Sequence, residues 1–391
     1  MGFFLKEKKH DDLVLFFDIG SSSIGGAFLK TQKKDAPKII YSIREPITLT
    51  QELDSDKFLD LTLRTLEKIV HKISTRGLGS PNKIFCILSS PWYASQVRTI
   101  KYKKDELFVF NKKFADNLIS LEIKKFEEEY LKENKEEGEK IRAIELKNMK
   151  ISLNGYPVKE PLGQKVSEVE MNIFISMSTE NILSKLEKVI NFHFHNKEIK
   201  FSSFAMASFV VARDTFVLQD SFLLVDIGGE VTDISMVKKD IICSSISFPL
   251  GRNFMIREIS KNLNCSLFEA KSYLSLYKDG HASENLEIKI GPIIEKLKSN
   301  WLGDFQKSLV NISNDISIPA TIFITVDQDL SDFFAKIIKT EQFSQYTLTE
   351  SKFRIIILGT EALHGIVLIE EDIQRDPFLI IESIYINRFL S

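Results

Sequence analysis

Two stretches of this chain repeat one design. Leu15-Phe16-Phe17-Asp18-Ile19-Gly20-Ser21-Ser22-Ser23 and Leu223-Leu224-Val225-Asp226-Ile227-Gly228-Gly229-Glu230-Val231-Thr232-Asp233 are each an apolar, β-prone run that ends in Asp-Ile-Gly, crosses small residues and resumes as a second apolar run. Each predicts a strand, a tight turn and a returning strand, with the Asp at the strand mouth and the turn backbone left bare by Gly and Ser. One Asp-Ile-Gly is an ordinary strand end. Two in matching context, one in each half of the chain, predict two jaws that face each other across a polyphosphate. Backbone N–H groups would hold it through charge-assisted bonds of about 1.5–3 kcal/mol each, with Asp18 and Asp226 reaching magnesium through its waters.

At 391 residues the chain exceeds one ordinary core and fits two domains, with room for a smaller third. Its 52 basic and 54 acidic residues leave a net charge of −2, so no global field favours nucleic acid or acidic lipid, and no local basic patch stands out. Cys86, Cys243 and Cys265 are far apart and two lie in apolar runs, the pattern of buried thiols in a reducing compartment, with cytoplasm the default. The opening Met1-Gly2-Phe3-Phe4-Leu5-Lys6 is too short in apolar residues for a signal peptide, and Lys6 stands where myristoylation needs Ser or Thr. No stretch reaches the roughly 18 apolar residues of a membrane span. The chain has no Gly-x-x-x-x-Gly-Lys-Ser/Thr loop and no Gly-x-Gly-x-x-Gly opening a helix, and its histidines show no metal-ligand spacing.

Strands are predicted over 13–18, 24–29 and 38–43, then a helix over 56–73 with Leu59, Leu63, Leu66 and Ile69 on one face, then a strand over 83–89. That β-β-β-α-β order departs from the alternation of a dinucleotide-binding domain. Residues 111–147, rich in Lys and Glu, predict one long exposed helix, followed by a strand at 149–153 and a turn at Asn154-Gly155-Tyr156. The first pattern then returns, with strand 169–176, helix 179–192, strand 198–202 and helix 204–213, so the block between reads as an insertion. The second half predicts a strand over 241–248, helices near 253–262, 266–277 and 287–311, strands over 320–325 and 354–358, and a last helix over 377–389. The boundaries that follow are 11–96 and 166–217 for a first domain, 97–165 for the insertion, 218–350 for a second domain, and 351–391 for a closing strand and helix that return to the first.

This duplicated plan with paired Asp-Gly loops resembles the actin, sugar kinase and heat-shock chaperone ATPase superfamily. Within it, Asp226-Ile227-Gly228-Gly229-Glu230-Val231-Thr232-Asp233 is similar to the second phosphate loop of the bacterial cell-division family FtsA. Pro249-Leu250-Gly251-Arg252-Asn253 resembles that family's Pro-x-Gly-x-Asn turn, and Ser266-Leu267-Phe268-Glu269-Ala270 its Ser-Leu-x-Glu-Ala helix beside the nucleotide sugar. Asn154-Gly155-Tyr156 with Pro161-Leu162-Gly163 resembles the exit from the small inserted SHS2-type domain of FtsA and its pilus relative PilM, and Asp376-Pro377-Phe378 resembles the closing segment. The resemblance implies an α/β, actin-like (ribonuclease H-like) two-domain fold with a small inserted domain in the first half. It implies ATP and magnesium held by Asp18, Gly20, Ser21, Ser22 and Ser23 on one side and by Asp226, Gly228, Gly229, Glu230, Thr232, Gly251, Asn253, Glu269 and Thr325 on the other, with magnesium reached through water by Asp18 and Asp226.

The chain departs from the family pattern in two places. The basic residue usual in or just after the first loop is absent, its places taken by Ser23, Gly25 and Gly26. The family's Thr-Gly-Gly-Gly adenine turn has its counterpart in Thr325-Val326-Asp327-Gln328-Asp329, without glycine, or in Leu358-Gly359-Thr360-Glu361, with one. For orienting a hydrolytic water, the helix between the domains offers only Ser208 and Arg213. A slow or absent ATPase is expected. Trp92 and Tyr93 predict packing at a domain junction, with a partner patch as the alternative. The resemblance implies an FtsA-like scaffold that self-associates into filaments and links the tubulin-like division polymer to membrane machinery. It would lie in the cytoplasm at the inner face of the membrane through partners, since Arg388 is the sole basic residue in the final dozen and Phe3-Phe4-Leu5 is a thin anchor. A PilM-like pilus scaffold and a small-molecule kinase of the same superfamily are the rival readings.

Overall fold

The computed structural model describes residues 12–31, 36–134, 139–195, 197–313, 317–340 and 353–390. The Phe3-Phe4-Leu5 segment lies outside the described residues. The chain opens with strands β1 (Asp12–Ile19), β2 (Ser23–Thr31) and β3 (Lys38–Pro46), then α1 (Ser55–Ser74) and β4 (Lys83–Leu88). Next come β5 (Ala94–Val109), α2 (Lys112–Asn134), β6 (Ile141–Leu153), β7 (Tyr156–Pro157) and β8 (Lys165–Thr179), followed by α3 (Glu180–Phe194), β9 (Ile199–Ser203) and α4 (Phe204–Thr215). The second half runs β10 (Phe222–Ile227), β11 (Thr232–Lys238), β12 (Ile241–Phe248), α5 (Arg252–Leu263), α6 (Leu267–Lys278) and α7 (Glu284–Ser313). It closes with β13 (Thr321–Val326), α8 (Ser331–Thr340), β14 (Arg354–Ile357), β15 (Leu368–Ile369) and α9 (Pro377–Leu390).

The two large sheets have one plan. Their orders are β3-β2-β1-β4-β9, with β15 added at the β3 edge, and β12-β11-β10-β13-β14. In each, an antiparallel three-strand meander is extended by parallel strands, β4 and β9 in one and β13 and β14 in the other. Asp18 and Asp226 are therefore equivalent, each one residue before the end of the central strand. Both hairpins are tight because the chain reverses through small residues between two strands that are already buried apolar runs.

Three apolar layers hold this arrangement. α1 is capped by the Asp54 side chain, which accepts from the Lys57 N–H, and turns Leu59, Leu66, Ile69 and Ile73 onto the outer face of the first sheet, where α3 packs beside it. α5 to α8 cover the outer face of the second sheet around the buried Trp301. Between the sheets lie α4 and α9, which are apolar on nearly every side, as a helix buried on both faces must be. Their shared core joins Val14 and Phe16 of β1 to Phe222 and Leu224 of β10, so the two halves are one packed body below the hairpins.

The third sheet, β5-β8-β6-β7, corrects the expectation for residues 111–147. The helix stops by Asn134, and residues 141–147 belong to β6, paired along its length with β8. Lys and Glu content could not separate helix from strand, because both present charged faces to water, and the pairing with β8 decided the outcome. β8 carries the order that the charged strands hide: Val169, Met171, Ile173, Ile175 and Met177 alternate onto the core under α2.

One polar network fastens this third sheet to the rest. Glu145 of β6, 7% exposed, accepts from the Ser203 hydroxyl at 2.7 Å, the Ser203 N–H at 3.3 Å and the Tyr385 hydroxyl at 2.7 Å. Ser203 is also the N-cap of α4, so one carboxyl joins β6, α4 and α9. Burial pushes this carboxyl above its ordinary range, and its three donors partly offset that. Replacing Glu145 by Leu strands those donors and should lower stability by about 1.5–3 kcal/mol in a urea titration, with Tyr385→Phe costing less.

Candidate functional site

The two predicted jaws touch. The Ser21 hydroxyl oxygen, at the tip of the first hairpin, accepts from the N–H groups of Gly229 and Glu230 in the second, at 2.9 and 3.1 Å. Gly229 makes the approach feasible: a Cβ there would lie 2.7 Å from the Ser21 carbonyl carbon and the Ser22 nitrogen, closer than atoms pack. The glycine expected to admit a phosphate instead admits the opposite hairpin. The second hairpin's carbonyls are also engaged, since Gly228 O and Gly229 O accept from the N–H groups of Arg252 and Asn253 at the start of α5, at 3.0 and 2.8 Å.

A second set of contacts runs along the rim. Glu230, 5% exposed, takes a bidentate pair from Arg257 at 2.7 Å on each arm and a further bond from the Asn253 amide at 2.8 Å. The same Arg257 donates through Nε to the Thr50 carbonyl at 2.8 Å, and the Gln51 amide donates to the Ser260 hydroxyl at 2.7 Å. Residues 50 and 51 follow β3 in the first half, while Arg257 and Ser260 lie on α5 in the second. Asp327, just after β13, pairs with Arg252 and lies 3.5 Å from the Ser22 hydroxyl.

The cation that the first loop lacks in sequence is supplied by the neighbouring strand. Arg44 of β3 pairs in register with Gly25, where a Cβ would sit 2.8 Å from the guanidinium. Across that gap Arg44 reaches Asp18 at 2.7 Å, the Ser23 hydroxyl at 2.9 Å, and Asp376 ahead of α9. Burial opposes its charge, but the Asp376 and Asp18 carboxylates outweigh that and hold it well above its ordinary pKa. Beneath this group Glu382 of α9 is fully buried and meets Asp18 as a carboxyl–carboxylate pair. Burial first, and the Asp18 charge second, push its carboxyl well above the ordinary range.

Asp226 meets a different environment. It stands opposite Asp233 across β10 and β11 and accepts from the Thr325 hydroxyl at 2.7 Å. Burial and then the Asp233 charge raise its carboxyl well above the usual carboxylate range, which favours the neutral acid. It borders a cavity of about 10 Å³ with Ser208, Tyr93 and Asp233, room for about one water. Ser208 thus faces Asp226 from α4, although its hydroxyl bonds to its own helix at Ala205. Trp92 is buried, and its indole donates to the Gly20 carbonyl at 3.0 Å, fixing the first hairpin from behind.

The contact between the hairpins leaves no place for a phosphate oxygen between Ser21 and Gly229. The N–H groups of Gly229 and Glu230 are taken by Ser21, and Asp18 is bound by Arg44. Among the described residues no group of three or more His, Cys, Asp or Glu is placed to hold a metal ion. Thr232 donates to the Leu250 carbonyl and accepts from Trp301, and Glu269 closes a capping box with Ser266 on an exposed end of α6. Cys243, expected to be buried, is exposed.

No family model matches the chain, and no curated protein matches it significantly. Among solved structures it is similar to the PilM-PilN type IV pilus biogenesis complex, with a TM-score of 0.61, 12% identity, and coverage of 97% of this chain and 98% of that one. The fold is actin-like. A Bacteroides thetaiotaomicron protein with actin-like ATPase fold and unknown function is also similar, at TM-score 0.38, 12% identity and 91% and 93% coverage. The ethanolamine utilization protein EutJ from Carboxydothermus hydrogenoformans follows at TM-score 0.43, 11% identity and 96% and 89% coverage.

A larger cavity of this actin-like fold opens where β6 meets α4 and α9. It measures about 460 Å³, and Met149, Met206, Val210 and Phe389 give it an apolar lining. Its walls carry Lys147, Arg213 and Arg388 beside Asp214 and Asp240; Arg213 and Arg388 both pair with Asp214, Lys147 lies 5.0 Å from the Phe389 ring centre, and Lys200, outside the lining, lies 3.7 Å from the same ring. Burial, and then Lys147, lower the Lys200 pKa. Among the described residues no helix is long and apolar enough to cross a membrane.

Two outcomes follow. Arg44→Ala leaves Asp18 and Asp376 facing each other without a counter-charge and should cost about 3–5 kcal/mol in a denaturant titration. Glu382 stabilises the fold only while protonated, so its contribution is full below the ordinary Glu range and declines as pH rises toward the raised value. Melting temperatures followed from acid to mildly alkaline pH should therefore fall less steeply in Glu382→Gln than in the wild type.

Proposed function

We propose that this chain is a protein-docking scaffold of the PilM type, in which the actin-like body positions a groove for a short segment of a partner. The observation that carries this reading is the cavity between β6, α4 and α9, where apolar anchors find Met149, Val210 and Phe389 and polar groups find Lys147, Arg213 and Arg388 beside Asp214 and Asp240. Glu145 sets the geometry of that groove by tying β6 to the two helices that form its other wall. The likeness to a PilM structure solved with PilN supports a partner-binding role, with residues 97–165 as the inserted unit that contributes one wall.

An FtsA-like division scaffold shares the same sequence motifs and differs in partner. A kinase would need a carboxylate base beside an acceptor pocket. Asp226 and Asp233 border a cavity with room for about one water.

The test is fluorescence anisotropy with labelled peptides from the cytoplasmic end of an inner-membrane pilus-assembly protein, alongside sedimentation with the tubulin-like division polymer. The reading predicts peptide binding that Val210→Glu and Met149→Glu each weaken by about tenfold or more, with far-ultraviolet circular dichroism unchanged. Co-sedimentation with the division polymer and no peptide binding would overturn it in favour of the FtsA-like role.

A further inference from the structure

We infer that the cleft is liganded by the chain itself: the Ser21 hydroxyl fills the anion hole of the second hairpin and the Arg44 guanidinium fills the cation position beside Asp18, so the two halves stay shut without a nucleotide. The inference rests on geometry at three levels. At the floor, Ser21 accepts both N–H groups that a phosphate oxygen would need, at 2.9 and 3.1 Å, and it is 3% exposed. Backbone meets backbone beside it, where Gly229 leaves no width for an intervening oxygen. A phosphate oxygen would have to part the hairpins to reach the Gly229 and Glu230 N–H groups.

The next level is electrostatic. A bound triphosphate brings several negative charges, and the cleft would receive them with Asp327 against Ser22 and with Asp18 already neutralised by Arg44. The two arginines nearest the hairpins are committed to carboxylates, Arg44 to Asp18 and Asp376 and Arg252 to Asp327. Recruiting either to a phosphate leaves a buried or half-buried carboxylate unpaired, a penalty that cancels much of the gain.

The outer level is the latch. Arg257 reaches across to the Thr50 carbonyl while its guanidinium holds Glu230, and Gln51 reaches across to Ser260. These bonds join the segment after β3 to α5 across the cleft. Together with the shared core around α4 and α9, they make the actin-like body a rigid strut whose docking surfaces do not depend on nucleotide state.

Hydrogen exchange by mass spectrometry on the full chain tests this, with isothermal calorimetry of the same protein against magnesium-ATP. The expected result is no heat of binding at millimolar magnesium-ATP, no change in exchange over residues 18–24 and 226–231, and about tenfold faster exchange of Gly229 and Glu230 in Ser21→Ala. Should that variant fail to fold, Gln51→Ala, an exposed change outside the core, should speed the same amides by a smaller factor. Saturable magnesium-ATP binding with slowed exchange at both hairpins would overturn the inference. So would amides at 229 and 230 that exchange at wild-type rates in the Ser21→Ala and Gln51→Ala chains. Neither outcome bears on peptide docking at the separate groove, so the two proposals stand or fall independently.

Discussion

Two backbone N–H groups that donate to one serine oxygen set the relation between the halves of this molecule. Everything near the cleft is arranged around that contact. Gly229 is small so that Ser21 can arrive, α5 begins where its first N–H groups can take up the hairpin's carbonyls, and Glu230 turns away to hold Arg257. An N–H left unpaired in so buried a position would cost roughly 1–3 kcal/mol, so the second hairpin needs an acceptor of some kind. In this chain the acceptor is covalently part of the protein and is always at hand.

The fold was legible because its information is local and repeated. Apolar runs ending in Asp-Ile-Gly, helix-period stripes such as Leu59-Leu66-Ile69, and the uniformly apolar α4 and α9 all state their burial in the residues themselves. The charged strands β5 and β6 were not legible in that way. Their Lys and Glu residues face water, and what makes them strands is pairing with β8, whose own alternation is plain.

The site was legible in position and illegible in content. Ser21, Asp18, Asp226, Gly228, Gly229 and Glu230 lie at the facing hairpins, with Gly251, Asn253 and Thr325, which the family resemblance pointed to, beside them. Arg44 was missed because it comes from the next strand, and only the β2–β3 register sets it across Gly25; a basic residue opposite a glycine in that hairpin was the available signal. Arg257, Thr50 and Gln51 act through a contact between distant segments, which no local pattern encodes. Glu269 carried a competing signal in plain view, since Ser266 three residues earlier makes it half of a capping box. The cavity between β6, α4 and α9 depends on how three elements from residues 147 to 389 meet, and nothing in any one of them marks it.

In this fold the contact between the halves and the larger apolar-lined cavity lie in different places. The hairpins hold the halves together, and the inserted sheet, locked by Glu145, builds a groove with α4 and α9. The claim that closure is intrinsic is tested most directly by pulsed dipolar spectroscopy between spin labels on Arg64→Cys of α1 and Ser275→Cys of α6, in a chain carrying Cys243→Ser and Cys265→Ser. The account predicts one narrow distance distribution that is the same with and without magnesium-ATP. A broad or two-peaked distribution that narrows or shifts when magnesium-ATP is added would contradict it.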